Sequence, residues 1–490
     1  MAVRIRKNVY SLPAGDTTLD WYNKAVKELL SRPTSNPTSW RYMAGIHGSP
    51  DTPPAGADPY WNVCQHGTWY FLPWHRAYIA MFEAVVADCV AKQGGPADWA
   101  LPYWDYSDAS NANARNLPPA FQGKTRADGT QNYLSSTRAA SIAIPAADVA
   151  LDALKLKAFA GPPGGGASSF GGPKVGLHHP IGNSGALEMT PHNLVHGDIG
   201  GFMNDPDQAA LDPIFWLHHC NIDRLWEVWR NQGPGTGWRD SGWMAQTFDF
   251  HDVAGNAITF ACRDLLDTTK IMHGYSYDST PVATAMTTPD TGQDSAPTQT
   301  AELVGANSGA LALATDPVTT SVPLSLDRTT MSFSDNAKPR PSNVFLSIEN
   351  VTGTGIPGSF QVAVAPAASG ADPILVGVFG TFGIAKASDP AQANGGGGLS
   401  AAFDITDTAD QIGLSDGSAT EVGVTLTPQA APDVDTSGAP DELADVQLNT
   451  TAPSVSVGRV GVFFAIDPDT GAGGDQPSDP NATNDPTPVA

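Results

Sequence analysis

"VCQHGTWYFLPWHRAYIAMFE", residues 63–83, sets two histidines nine positions apart in an aromatic, apolar run, with Cys64 two places before His66. Pro73 suits a first helical position, where no N–H is needed, and the apolar run that follows to Val90 predicts a helix. A buried imidazole needs a partner for each ring nitrogen, so His66 and His75 are either satisfied core residues or metal ligands.

The neighbouring segments repeat the device. "TLDWYNKAVKELL" (18–30) spaces Leu19, Tyr22, Val26, Leu29 and Leu30 on one helical stripe. "SWRYMAGIHG" reads as a short helix that delivers His47. "TPHNLVH" offers Thr190 as cap and Pro191 as first helical residue, and "LDPIFWLHHCNIDRLWEVWR" does the same with Asp212 and Pro213 before about five turns. Long Gly/Pro-rich loops join these pieces. The first half is therefore expected to be a helical bundle with elaborate connections.

The 490-residue chain is too long for one hydrophobic core. All eleven histidines and four cysteines fall at or before His273, and all twelve tryptophans at or before Trp243. Beyond "DSTPVATAMTTPDTGQDSAPTQT" (278–300) the composition changes to β-branched runs cut by Gly, Pro, Asn and Asp, such as "NVFLSIENV", "GSFQVAVAPA" and "VSVGRVGVFFAI". These read as an antiparallel sandwich. The fold class expected is α+β multidomain: a mainly α-helical four-helix-bundle domain over 1–277, a Pro/Thr-rich linker over 278–325, an all-β, jelly-roll-like sandwich over 326–468, and a disordered acidic tail over 469–490.

The formal charge of −24 argues against nucleic acid as a partner. Most of it lies late, since residues 281–490 hold 24 acids against 5 bases. No apolar window is long enough to span a bilayer, and the N-terminus lacks the features of a signal peptide, so a cytoplasmic protein is expected as written. Four cysteines are too few for a disulfide framework; Cys89 and Cys220 read as core thiols.

His192 and His196 are four apart and share one helix face. They do not form the zinc-protease motif, which needs Glu where this chain has Asn193. With His47, His66, His75 and the His218–His219 doublet, they form sets of neutral imidazoles without the Glu-x-x-His spacing of di-iron bundles, a donor set that suits copper.

"HGTWYFLPWHRAY", "PHNLVHGDIG" and "DPIFWLHHCNIDRLW" resemble the copper signatures of the tyrosinase and polyphenol oxidase family, which also includes molluscan-type haemocyanins. The resemblance implies two copper ions, with O2 as co-substrate. His47, His66 and His75 would hold the first copper, and His192, His196 and His219 the second. His218 would be a neighbour; His178 and His179 match no ligand motif, and His251 and His273 read as structural. It further implies a thioether between Cys64 and His66, and a water held by Glu188 and Asn193 that takes the proton of a monophenol. Phe202 and Met203 are candidates for a gate near the second copper. Arg76 and Asp223, each close to a ligand, are expected to orient the helices.

The β-rich half loosely resembles the C-terminal domain of plant polyphenol oxidases, through "FGTFGI", "EVGVTLTP" and "VGRVGVFFA". That likeness implies a domain that covers the copper site and keeps the enzyme latent. The expected activity is ortho-hydroxylation of monophenols and oxidation of o-diphenols to o-quinones, with small phenols and O2 as partners, no nucleic acid or membrane, and the oligomeric state left open. Catechol oxidase or o-aminophenol oxidase without monophenolase activity is the alternative, followed by a haemocyanin-like O2 carrier.

Overall fold

The computed structural model describes residues 3–161, 168–177, 182–231, 240–279, 301–325, 341, 343–366, 372–392, 395–414 and 418–465. The helices that build the first half are α1 (Thr18–Leu30), α2 (Trp40–His47), α3 (Phe71–Lys92), α4 (Leu194–Ile199) and α5 (Pro213–Asn231). Helix α1 is amphipathic and buries Tyr22, Ala25, Val26 and Leu29. By contrast, α3 is mostly apolar and buried on all sides from Phe71 to Ala87, with its charged Arg76 and Glu83 paired inside. It begins two residues before Pro73, which thus falls in the first turn, where its missing N–H costs nothing. Helix α5 starts at Pro213 as expected, and the Asp212 carboxylate accepts the N–H of Ile214 at 2.9 Å.

Aromatic rings join the helices. Phe82 of α3 stacks on Trp216 of α5 at 3.4 Å between centroids, and Trp40 of α2 meets Trp216 edge-on at 6.2 Å. Behind this layer lies a charged one. Asp223 on α5 accepts from Arg76 Nε of α3 at 2.5 Å and from the hydroxyls of Tyr275 (2.7 Å) and Tyr277 (2.5 Å). Arg6 reaches the same carboxylate at 3.3 Å and pairs with Glu83 at 2.7 Å.

The second half contributes strands β1 (Ala301–Ala306), β2 (Leu311–Leu313), β3 (Val318–Pro323), β4 (Asn343–Thr354), β5 (Phe360–Pro366), β6 (Ile374–Phe379), β7 (Leu399–Asp404), β8 (Glu421–Pro428) and β9 (Ser454–Ala465). One sheet runs β3-β8-β5-β6; the other runs β7-β4-β9-β1, with β2 also on β9, and every pairing is antiparallel. Strands β5 and β8 bury alternate residues, including Val362, Val364, Val422, Val424 and Leu426.

The linker expected over 278–325 is corrected by these strands. From residue 301 the chain pairs with both sheets, because β1 and β3 are sheet edges whose half-exposed sequences ("AELVGA", "VTTSVP") carry little apolar signal. Residues 280–300 and the acidic tail lie outside the described residues, as do His178 and His179.

The β domain is fastened to the helical one. Val434–Asp435 pairs with Arg138–Ala139, Asn183 bridges to Ser400, and ion pairs join Arg41 to Asp445 and Asp207 to Lys386.

Candidate metal centre

Five elements bring the histidines together. His47 ends α2, His66 sits in the loop before α3, and His75 lies in the second turn of α3. His192 and His196 flank the start of α4, and His219 lies on α5. Thr190 is extended (φ −141°, ψ 120°), so the chain breaks there and re-enters the helix at Pro191, as its sequence predicts. All six imidazoles are buried.

Ring centroids within the first three are 5.2–5.5 Å apart. Within the second three they are 4.6–5.5 Å apart. The two sets face each other, with His75 stacked on His219 at 4.6 Å and His66 5.9 Å from His192. Side-chain nitrogens of His192, His196, His218 and His219 lie within 4.8 Å of one another, as do those of His47, His75 and His219. His218 therefore stands inside the second group, with its Nδ1 3.2 Å from the Tyr106 hydroxyl.

The donor chemistry fits a metal. The Nδ1–H of His47 donates to Pro206 O (2.9 Å), that of His75 to Phe71 O (2.8 Å), and that of His196 to Met203 O (2.6 Å). His192 Nδ1–H donates to the side-chain oxygen of Asn193 at 2.8 Å. These bonds fix the tautomer and leave Nε2 with its lone pair. For His75 and His192 that atom is buried and makes no hydrogen bond, a costly state unless something else fills the coordination. Burial lowers His192 to about 3, although its bond to Asn193 opposes the shift. Burial, then the neighbouring imidazoles, push His75, His196 and His219 well below their ordinary value. Six buried imidazoles, four of them held toward the neutral form by burial, suit an imidazole-seeking metal such as copper.

Glu188 accepts the N–H of Gly67 through both oxygens, at 2.8 and 3.0 Å. Burial raises its carboxyl to about 8, against the hydrogen bonds from Gly67, Gly185 and Ser184. Asn193 spans from His192 to the Ser184 hydroxyl at 3.3 Å. Cys64 Sγ touches the edge of the His66 ring, 3.3 Å from Nδ1. His251 lies elsewhere, packed on Tyr60 and Tyr42.

Phe202 and Met203 are fully buried, and Met203 serves through its carbonyl; Gly200 and Gly201, both at positive φ, fold this loop down against Thr137. The ring over the second cluster is Phe382 of the β domain. It stacks on His196 at 4.1 Å and 19°, and presents its edge to His192 (5.8 Å) and His66 (6.0 Å). Sequence reasoning also passed over Phe71 and Phe215, which pack on His192 (4.7 Å) and His219 (4.1 Å). Phe71 and Phe215 each precede a predicted ligand by four residues on a helix, which is a legible signal.

Comparison with known proteins agrees with this architecture. The family described as the common central domain of tyrosinase matches residues 37–173 and 164–232, and a domain of unknown function (DUF7868) matches 300–464. Tyrosinase HcTyr1 of Hahella sp. (strain CCB-MM4) is 36% identical, across 95% of this chain and 100% of that protein. The chloroplastic polyphenol oxidase of Vitis vinifera is 27% identical over 53% of this chain, and the match spans only 45% of that enzyme's length. The latent apple tyrosinase structure (MdPPO1) shares the fold, with a TM-score of 0.61 at 20% identity, covering 95% of this chain and 98% of that one.

Proposed function

This chain belongs to the tyrosinase and polyphenol oxidase family of copper oxidoreductases, and on that premise we propose that it ortho-hydroxylates monophenols and oxidises o-diphenols to o-quinones from a latent state. The observation that carries this reading is the ring of six buried imidazoles closed over by Phe382. His47, His66 and His75 would hold one copper, and His192, His196 and His219 the other. Bound copper would capture O2 and pass electrons to it, with O2 supplying the oxidising equivalents.

The protein's own residues do the rest. The Nδ1 anchors stop the imidazoles of His47, His75, His192 and His196 from rotating, which holds the donor geometry before substrate arrives. The stack of Phe382 on His196 marks the surface on which a planar phenol would lie once that ring moves. A free phenol has a pKa near ~10 and must lose its proton before hydroxylation. In its ionised form Glu188, buried beside Asn193, would accept that proton directly or through a water shared with Asn193. A diphenol ionises more readily and leans less on this base.

Glu188→Gln should therefore lower monophenol turnover roughly 100-fold, with diphenol turnover and copper content changing little. Paired assays on a monophenol and its catechol decide this: equal losses on both would remove the proton-acceptor role, and wild-type protein that turns over only the catechol would favour a diphenol-only oxidase.

The contact between Cys64 and His66 supports a thioether between them. Its formation removes the thiol hydrogen and a ring C–H hydrogen, with two electrons passing to O2. Copper-loaded, oxygen-exposed protein should then weigh less than the sequence mass by those two hydrogens, and Cys64 should resist alkylation after denaturation. A Cys64 thiol that alkylates in full would reject the crosslink.

A further inference from the structure

The loop of Asp205, Pro206 and Asp207 is clamped between the two domains. On one side the Pro206 carbonyl accepts the Nδ1–H of His47 at 2.9 Å. The contact has no slack, since a Cβ on Gly48 would lie 2.5 Å from that same oxygen. On the other side Asp207 forms an ion pair with Lys386, from the short helix Ile384–Ser388 of the β domain. Both side chains are largely covered, at 12% and 26% exposure, so solvent screens the pair only in part. The next residue is gripped as well, because Gln208 Nε2 donates to Gln447 O at 2.6 Å. Inside the loop, the Asp207 N–H donates to the Asp205 carboxylate at 2.9 Å, which stiffens the turn.

We infer that Lys386 is a positioning residue for the first metal site: by holding Asp207 it fixes the Pro206 carbonyl and, through it, the imidazole of His47. The inference rests on the dicopper reading above and adds to it. Removing an outer partner that orients a ligating histidine typically weakens metal binding 10- to 100-fold. One short segment of the β domain then acts on both halves of the centre. Phe382 lies against the second cluster, and Lys386, four residues later, braces a ligand of the first. Docking of the β domain on this account adds to copper affinity at the first site as well as covering the second.

The test is the affinity of the full-length protein for copper, measured by competition with a chelator of known affinity, because an equilibrium constant is insensitive to access. Lys386→Met should weaken one of the two copper sites roughly tenfold and leave the other unchanged. Lys386→Arg keeps the charge and should restore the affinity, while Asp207→Asn should match Lys386→Met and add nothing to it. Arg41→Met removes a different ion pair between the domains, that with Asp445, without touching the loop, and should leave both affinities at the wild-type values. Wild-type affinities in Lys386→Met, or an equal loss in Arg41→Met, would overturn the inference. Wild-type protein that binds fewer than two copper ions would instead count against the dicopper reading itself. A thermal unfolding scan of each variant separates site loosening from misfolding: if Lys386→Met loses copper only in step with a lowered transition that Lys386→Arg does not repair, the positioning role is wrong.

Discussion

Asp223→Asn is expected to destabilise the helical domain by about 3 kcal/mol, toward the lower end of what breaking a buried ion pair costs, and to lower its melting temperature by on the order of 10 °C. The carboxylate is fully buried and accepts from Arg76, Tyr275 and Tyr277 while facing Arg6. Arg6 and Arg76 keep Glu83 and Glu227 as second partners, which limits the loss. Burial acts to raise the Asp223 carboxyl, but Arg76, Arg6 and the Tyr277 hydroxyl outweigh it and hold it below its ordinary value of 3.8. A group depressed in the folded state contributes stability above its unfolded pKa and loses it as the pH falls toward the folded one. Wild-type stability should thus decline below about pH 4 partly through this group, and Asp223→Asn should lack that share. Arg76 follows His75 directly and Asp223 lies one turn beyond His219, so the same variant should also loosen the copper site. Unfolding curves across pH check this; a variant as stable as the wild type at neutral pH would show that the network does not bolt α3 to α5.

Phe382→Ala should switch on diphenol oxidation without any proteolysis, by roughly tenfold. An offset or parallel aromatic stack contributes about 0.5–1.5 kcal/mol beyond its buried area, and about 1.4 kcal/mol is a factor of ten. The ring is held in place by its neighbours. Gly380 lies against Asn193 and Leu194, where a Cβ would approach to 3.2 Å, the Thr381 hydroxyl donates to Pro357 O at 2.7 Å, and Gly383 turns the chain away at φ 75°. An alanine at 382 leaves this frame intact and opens only the space beside His196. If Phe382→Ala stays as silent as the wild type while cleavage of the linker activates both, the cover works through some other contact.

Much of the site was legible because histidines stand out in segments that are otherwise apolar. Pro73, Pro191 and Pro213 each lie in the first turn of the helix that carries a predicted ligand, and the β-branched runs cut by Gly, Pro, Asn and Asp over β4 to β9 marked the sandwich. Other parts left no mark in sequence. The acceptors that fix His47 and His196 are main-chain oxygens of Pro206 and Met203, and a carbonyl has no sequence signature. Phe382 lies in "FGTFGI", where a ring among glycines reads as ordinary sandwich core; only the docking of the two domains turns it toward His196. Strands β1 and β3 escaped notice because an edge strand with one face in solvent needs few apolar residues. Two glycines at positive φ bury Phe202 and Met203, a chain path that bulk near a ligand does not reveal in sequence.

The most direct test of the account is the metal content of the purified full-length protein after loading with copper in air, by elemental analysis against protein concentration. Two copper ions per chain, falling to one or none in His75→Ala and in His192→Ala, is the predicted result. One metal ion per chain in the wild type, or zinc retained in place of copper, would contradict it.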